Sequence, residues 1–225
     1  MSNNRFKNSF PKPPPSQAEI DLFTASAEKG ENAAVTAFLN KHGADIDRKN
    51  SDGHTALCNA ADKGQKKTVE LLLSRNAQID ARDKHNWSPL HHAASSGHTG
   101  IVALLLGKGA QLEALTKEDF TPLMWAARFG HTETARFLLE KGANFGAVGS
   151  SGQTLQLLAL DSAEMIELVK RWPEMVRQRE EAARKAKEQA AAAAKEKEIK
   201  ENDAQRQGKL KDHRPKQPPL HKPKP

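Results

Sequence analysis

The stretch SPLHHAASSGH, residues 88–98, places His91, His92 and His98 within eleven residues. Histidines this close can ligate a metal, move protons, or act only as hydrogen-bonding groups inside a scaffold. Cys58, the single cysteine, is either a nucleophilic thiolate or a small packed apolar group. The test is whether these residue types persist wherever the same stretch recurs.

It recurs at a constant step. TALCNAADKG begins at 55, SPLHHAASSG at 88, TPLMWAARFG at 121 and TLQLLALDSA at 154, each 33 residues after the last. His91 aligns with Cys58, Met124 and Leu157; His92 with Asn59, Trp125 and Leu158; His98 with Gln65 and His131. No set keeps ligand chemistry, and a zinc site needs three or four convergent ligands. The expectation is a scaffold with no metal site and no cofactor. Cys58 lies on an alanine-flanked helix and is expected to be packed, and a lone cysteine excludes an intrachain disulfide. Phosphate-loop, serine-elbow and HExxH patterns are absent; GKGA at 107–110 is a repeat turn. No catalytic residue is assigned, and the chain is read as non-enzymatic.

The elements that would position these residues follow from the same register. Ser or Thr at 55, 88, 121 and 154, twice followed by Pro, starts a short helix whose free N–H groups a hydroxyl can cap. Alanine pairs permit close helix approach. Gly64, Gly97 and Gly130 end that helix, where a positive φ suits glycine. VELLL (69–73), VALLL (102–106) and ARFLL (135–139) make a second helix apolar on most sides, so it must lie between neighbours. NAQIDA, GAQLEA and GANFGA then turn the chain outward. One unit alone cannot bury these faces, so the units must stack.

A 33-residue period carrying T-P-L-H-x-A resembles the ankyrin-repeat family. The resemblance covers residues 16–173 and implies an all-α repeat solenoid with short β-hairpin fingers. Units are expected at 16–49, 50–82, 83–115, 116–148 and 149–173, the outer two serving as caps, with Pro173 closing the last. His91 occupies the family's T-P-L-H histidine position, and the resemblance implies a structural hydrogen bond there. His98 and His131, in the Gly-His turn, read likewise.

If recurring positions are scaffold, recognition should use the varying ones. In the family, the finger tips and the inner face of the first helices line a concave surface. The residues before each helix start are His54, Trp87, Phe120 and Gln153. The pairs before each helix-ending glycine are Asp62-Lys63, Ser95-Ser96 and Arg128-Phe129; further tip residues include Lys84-His85 and Lys117-Glu118. The partner-binding set is therefore His54, Lys63, His85, Trp87, Ser96, Lys117, Phe120, Arg128 and Phe129. Trp87 and Phe120 are expected to stand exposed at the tips, where with Arg128 and Phe129 they have hot-spot composition; packing onto neighbouring fingers is the alternative. Trp125 aligns with helix positions Asn59 and His92, and is expected to fill core. Gly53 and Gly152 recur as finger glycines; Asn86 and Asp119 replace them and tolerate a left-handed backbone.

Net charge is +7, carried by the ends. Residues 1–15 hold +3, residues 174–225 hold +6 and the repeat region −2, so the body lacks the basic face of a nucleic-acid reader. Residues 1–15 read as a disordered Pro-rich basic segment. Residues 174–204 are rich in Ala, Glu, Lys and Arg and should form a solvated single helix without a coiled-coil seam. Residues 205–225 read as a disordered basic, Pro-rich tail. Neither a secretory leader nor a membrane-length apolar run is present, so a cytoplasmic monomer is expected. The leading functional reading is a scaffold or adaptor capturing a protein partner on the concave surface. A second gives the basic tail weak contacts with nucleic acid or anionic membrane; a secreted microbial effector using the same surface on a host protein is a third.

Overall fold

The computed structural model describes residues 14–212 except Asp161, with the side chains of Ala44 and of 201–212 outside the description. The expectations for residues 1–13 and 213–225 lie outside the described residues.

Helices come in pairs: α1 (Gln17–Lys29) with α2 (Asn32–His42), α3 (Ala56–Asp62) with α4 (Lys66–Ser74), α5 (Pro89–Ser95) with α6 (Thr99–Gly107), and α7 (Pro122–Arg128) with α8 (Thr132–Glu140). A short α9 (Leu155–Leu158) precedes α10 (Ala163–Asp212). The first helices stack in the order α1, α3, α5, α7, α9, and the second helices in the order α2, α4, α6, α8. The chain divides into two compact units at Lys170/Arg171.

The sequence signals act locally as their chemistry requires. Thr55, Ser88, Thr121 and Thr154 each accept a hydrogen bond from the backbone N–H three residues on. Between the two rows lies a core of Leu57, Val69, Leu72, Leu90, Val102, Leu105, Leu123 and Leu138, all at most 1% exposed. Alanines 60, 61, 93, 94, 126 and 127 are buried between neighbouring first helices, and small side chains permit that approach. The carboxylates of Asp47, Asp80 and Glu113 each accept from a backbone N–H of the next unit, at Gln78, Gln111 and Asn144 (2.9–3.1 Å).

Gly64 and Gly97 carry φ of +73° and +74°, and a second constraint acts on both. The imidazole of the following unit leans over each glycine: His98 Nε2 donates to Asp62 O (2.9 Å) and His131 Nε2 to Ser95 O (2.9 Å). A Cβ at Gly97 would stand 2.5 Å from His131 Nδ1. The Gly-His turn is a clamp between successive units, as the structural expectation for these histidines requires.

Three expectations are corrected. The fingers contain no strand among the described residues; each is a tight turn closed by two backbone bonds, as in Asp83 N to Trp87 O (3.0 Å) and Asn86 N to Asp83 O (3.1 Å), with one isolated bridge at Val148–Thr154. Pro173 does not close a helix but lies inside α10. Proline removes one hydrogen bond, and the strong helix formers around it sustain the rest. The helix also continues past residue 204 to Asp212, so the segment 205–212 is helical rather than disordered; its Gln, Arg, Lys and Leu residues favour helix despite Gly208. In the second unit, Lys185–Glu181 and Lys200–Glu196 pair at 2.7 Å, while Arg184 is paired with Glu188 (3.8 Å).

Candidate functional site

Each finger is tied by the side chain that begins it. Asn50 Oδ1 accepts from the N–H groups of Asp52 and His54 (3.1 and 2.8 Å), Asp83 Oδ1 from those of His85 and Trp87 (2.8 and 2.9 Å), and Thr116 Oγ1 from that of Phe120 (3.2 Å). The tie sets the same backbone path each time, so His54, Trp87 and Phe120 occupy equivalent places. Asn86 and Asp119 adopt φ of 64° and 57°, the left-handed conformation expected where glycine is replaced. Lys117 N–H donates to His85 O (3.2 Å), linking two fingers, and leaves both side chains exposed.

At the C-terminal end of the row the aromatics form one cluster. Trp125 lies at its centre, with ring centroids 4.3 Å from Trp87, 5.1 Å from Phe120 and 5.9 Å from Phe129. The Arg128 guanidinium is 5.6 Å from the Trp125 ring and 6.0 Å from Phe120, within cation–π range. Phe129 is 54% exposed and Arg128 is exposed. Phe120 corrects the expectation of an exposed tip: it is 2% exposed. Its ring fills the space above Gly149, where any Cβ would approach it within 2.5 Å. Trp87 is half-buried against Trp125 and the two histidines of α5. Trp125 is half-buried too, so it is the hub of the surface cluster rather than core filling. Its Nε1 is shielded and has no hydrogen-bond partner among the described residues.

Towards the N-terminal end the row turns polar. His92 Nε2 meets Asp83 Oδ2 at 3.0 Å, and His54 Nε2 meets the same oxygen at 3.6 Å. Burial alone would lower the His92 pKa, but hydrogen bonding to Asp83 and a contact with Cys58 outweigh it and hold the imidazole above its ordinary value. Burial would raise the Asp83 carboxyl, and its bonds from His92 and the Trp87 and His85 N–H groups bring it well below the usual range. Ser96 Oγ donates to Asp62 Oδ1 (2.8 Å), and Lys63 Nζ lies 3.1 Å from the other Asp62 oxygen and 3.8 Å from Glu28. Asp62, Lys63 and Glu28 line a cleft of about 450 Å³ together with Asp21, Asp52 and His54, among others. Four carboxylates against one ammonium make it acidic.

The remaining members of the opening stretch are scaffold. Ser88 N–H donates to His91 Nδ1 (3.1 Å), so the proton sits on Nε2, which donates to the carbonyls of Ala114 (3.0 Å) and Phe120 (3.1 Å). Burial, partly offset by those two bonds, lowers its pKa to about 4, and the ring stays neutral. Cys58 is fully buried, as a packed thiol should be.

Comparison with known families adds the decisive observation: the profile for ankyrin repeats (three copies) matches residues 22–116 and 80–148. The chain belongs to the ankyrin-repeat family. None of the curated proteins compared matches it. Ankyrin repeats are protein–protein interaction modules in general, and the family is typically non-enzymatic. No described helix is long and apolar enough to cross a membrane.

For this ankyrin-repeat protein the structure thus brings together Trp87, Phe120, Arg128 and Phe129 in one cluster, and His54, Lys63 and Ser96 around the acidic cleft. His85 and Lys117 stay at the finger tips, outside both groups. Sequence reasoning missed Trp125, Asp83 and the pairing of His54 with His92. A signal was present: 59, 92 and 125 are one repeat position, and Asn59, His92 and Trp125 all front the row of fingers.

Proposed function

We propose that the repeat domain is a scaffold or adaptor that captures one protein partner across the first-helix row. The observation that carries this reading is the cluster of Phe129, Trp125 and Trp87 crowned by Arg128, with an exposed phenyl ring more than half in solvent. Ring and guanidinium are held in place before any partner arrives, so binding them costs little side-chain entropy. Aromatic and arginine anchors of this kind dominate interface energetics. Next to it, the acidic cleft favours a basic side chain on the partner. Phe120 supports the cluster from beneath; Lys63 and Ser96, both tied to Asp62, shape the acidic rim.

The test is affinity capture with the full chain as bait at moderate salt, against a Phe129→Ala/Arg128→Ala variant whose helicity is unchanged by circular dichroism. Loss of two anchors should weaken capture of the specific partner by roughly 700-fold if their effects add, since each truncation of a hot spot costs roughly 2 kcal/mol. A partner retained by the variant, but released steeply as salt rises, would move the function to the basic C-terminal segment.

A further inference from the structure

The three side chains His54, Asp83 and His92 have the composition and spacing of a metal-ligand set. One nitrogen from each histidine and one oxygen of Asp83 all lie within 4.8 Å of one another. In a tetrahedral site with bonds of 2.0–2.1 Å, donor atoms stand about 3.3 Å apart. The two contacts to Asp83 Oδ2, at 3.0 and 3.6 Å, flank that value. The remaining edge must close by at most about 1.5 Å to match it, and the part-exposed His54 ring is the one free to move.

Two of the three donors, His54 and Asp83, are also held from behind. His54 Nδ1 pairs with Asn59 Oδ1 (3.2 Å), so its proton sits there and the Nε2 lone pair faces Asp83. Asp83 gives its other oxygen to the N–H groups of His85 and Trp87, leaving Oδ2 for the histidines. Such outer partners fix the tautomer and aim of ligating side chains. A bare ion pair between His92 and Asp83 would not require His54 to be aimed at the same oxygen by a buried asparagine.

We infer that His54, Asp83 and His92 form a three-ligand site for a divalent first-row ion, with Zn²⁺ the best match to two imidazoles and one carboxylate. Asp83 and His92 are buried, and His54 and Asn59 also line the 450 Å³ cleft. The fourth position therefore opens towards the cleft, as in zinc sites with three protein ligands and one exchangeable position. His54 belongs to the unit at 50–82, and the other two ligands to that at 83–115, so the ion fastens consecutive repeats. The site does not rest on the aromatic partner surface, although its open position faces the cleft proposed to receive a basic side chain.

The experiment is calorimetric titration of the full-length, chelator-treated chain with ZnCl₂, paired with thermal unfolding at each zinc level and reversal by EDTA. Three variants run in parallel. His54→Ala removes a part-exposed ligand. Asp83→Asn keeps an oxygen for the two finger N–H groups and removes the anionic donor. His85→Ala changes an exposed histidine outside the set. One equivalent of Zn²⁺, a melting temperature that rises with zinc, and a tenfold or greater loss of affinity in His54→Ala and Asp83→Asn but not in His85→Ala is the expected result. Absence of binding below millimolar Zn²⁺, or binding that His54→Ala leaves intact, would overturn the site. If Asp83→Asn does not fold, His54→Ala alone decides, because its side chain carries none of the core.

Discussion

Replacing Gly97 by alanine tests the clamp that joins successive units. The substitution acts twice. Alanine at φ +74° costs about 1–2 kcal/mol, because its Cβ crowds the carbonyl in the left-handed region. The new Cβ would also stand 2.5 Å from His131 Nδ1, so the ring must leave and forfeit its 2.9 Å bond to Ser95 O. That bond is worth about 1 kcal/mol net, for a total of about 2–3 kcal/mol. Gly130 is the internal comparator: φ is nearly the same at +70°, but its nearest outside atom is Ser162 Cβ at 3.4 Å. Gly130→Ala should therefore cost only the backbone share, about 1–2 kcal/mol. The assay is urea unfolding followed by circular dichroism and tryptophan fluorescence, whose coincidence checks that the array unfolds in one step. A double-mutant cycle with His131→Ala isolates the clash: the double variant should be less destabilised than the sum of singles by about 1 kcal/mol. Additivity within about 0.3 kcal/mol would refute the reasoning, since the ring would then not press on position 97.

Other outcomes follow from the same contacts. Phe120→Ala should cost about 3–5 kcal/mol, the range for a buried phenylalanine, while Phe129→Ala should change stability by no more than about 1 kcal/mol; the same urea melts decide. His91→Ala removes the imidazole that satisfies the carbonyls of Ala114 and Phe120, and should cost at least about 2 kcal/mol through unpaired buried acceptors. Asp119→Gly relieves a left-handed aspartate and should raise the unfolding free energy by up to about 1 kcal/mol. Asn86→Gly should be near neutral by comparison, because it also loses the 2.9 Å bond from Asn86 Nδ2 to Leu115 O; a gain as large as that of Asp119→Gly would contradict this.

The stack was legible because its determinants are local and repeated. Hydroxyl caps, alanine pairs, helix-ending glycines and the V-x-L-L-L block each act within one unit, and recurrence at 33 residues ties them to one register. What was misread lies where local rules compete. A proline ordinarily stops a helix, but flanking residues with strong helix propensity carried α10 through Pro173. The resemblance implies hairpin fingers; each finger instead closes through two backbone bonds around a side-chain tie from Asn50, Asp83 or Thr116, and no ladder follows.

The site was less legible, and for a physical reason. Aligning repeats asks what a position does in every unit, and it identified His91, His98 and His131 as scaffold correctly. A site, however, is made once, from different positions of adjacent units. Position 92 alternates with Asn59 and Trp125, which argues against a ligand if each unit must supply one. It does not argue against a pairing of His92 with His54 and Asp83, which needs the stacking of two units to bring a finger residue over the next helix. The same stacking explains Phe120: its tip position is exposed within one unit, and the finger of the following unit, opened by Gly149, buries it. Inter-unit geometry therefore turned one expected contact residue into support, and turned Trp125, read as core, into the centre of the exposed patch. Variation along one repeat position marks where function can sit; only the packing between units shows which of the varying residues meet.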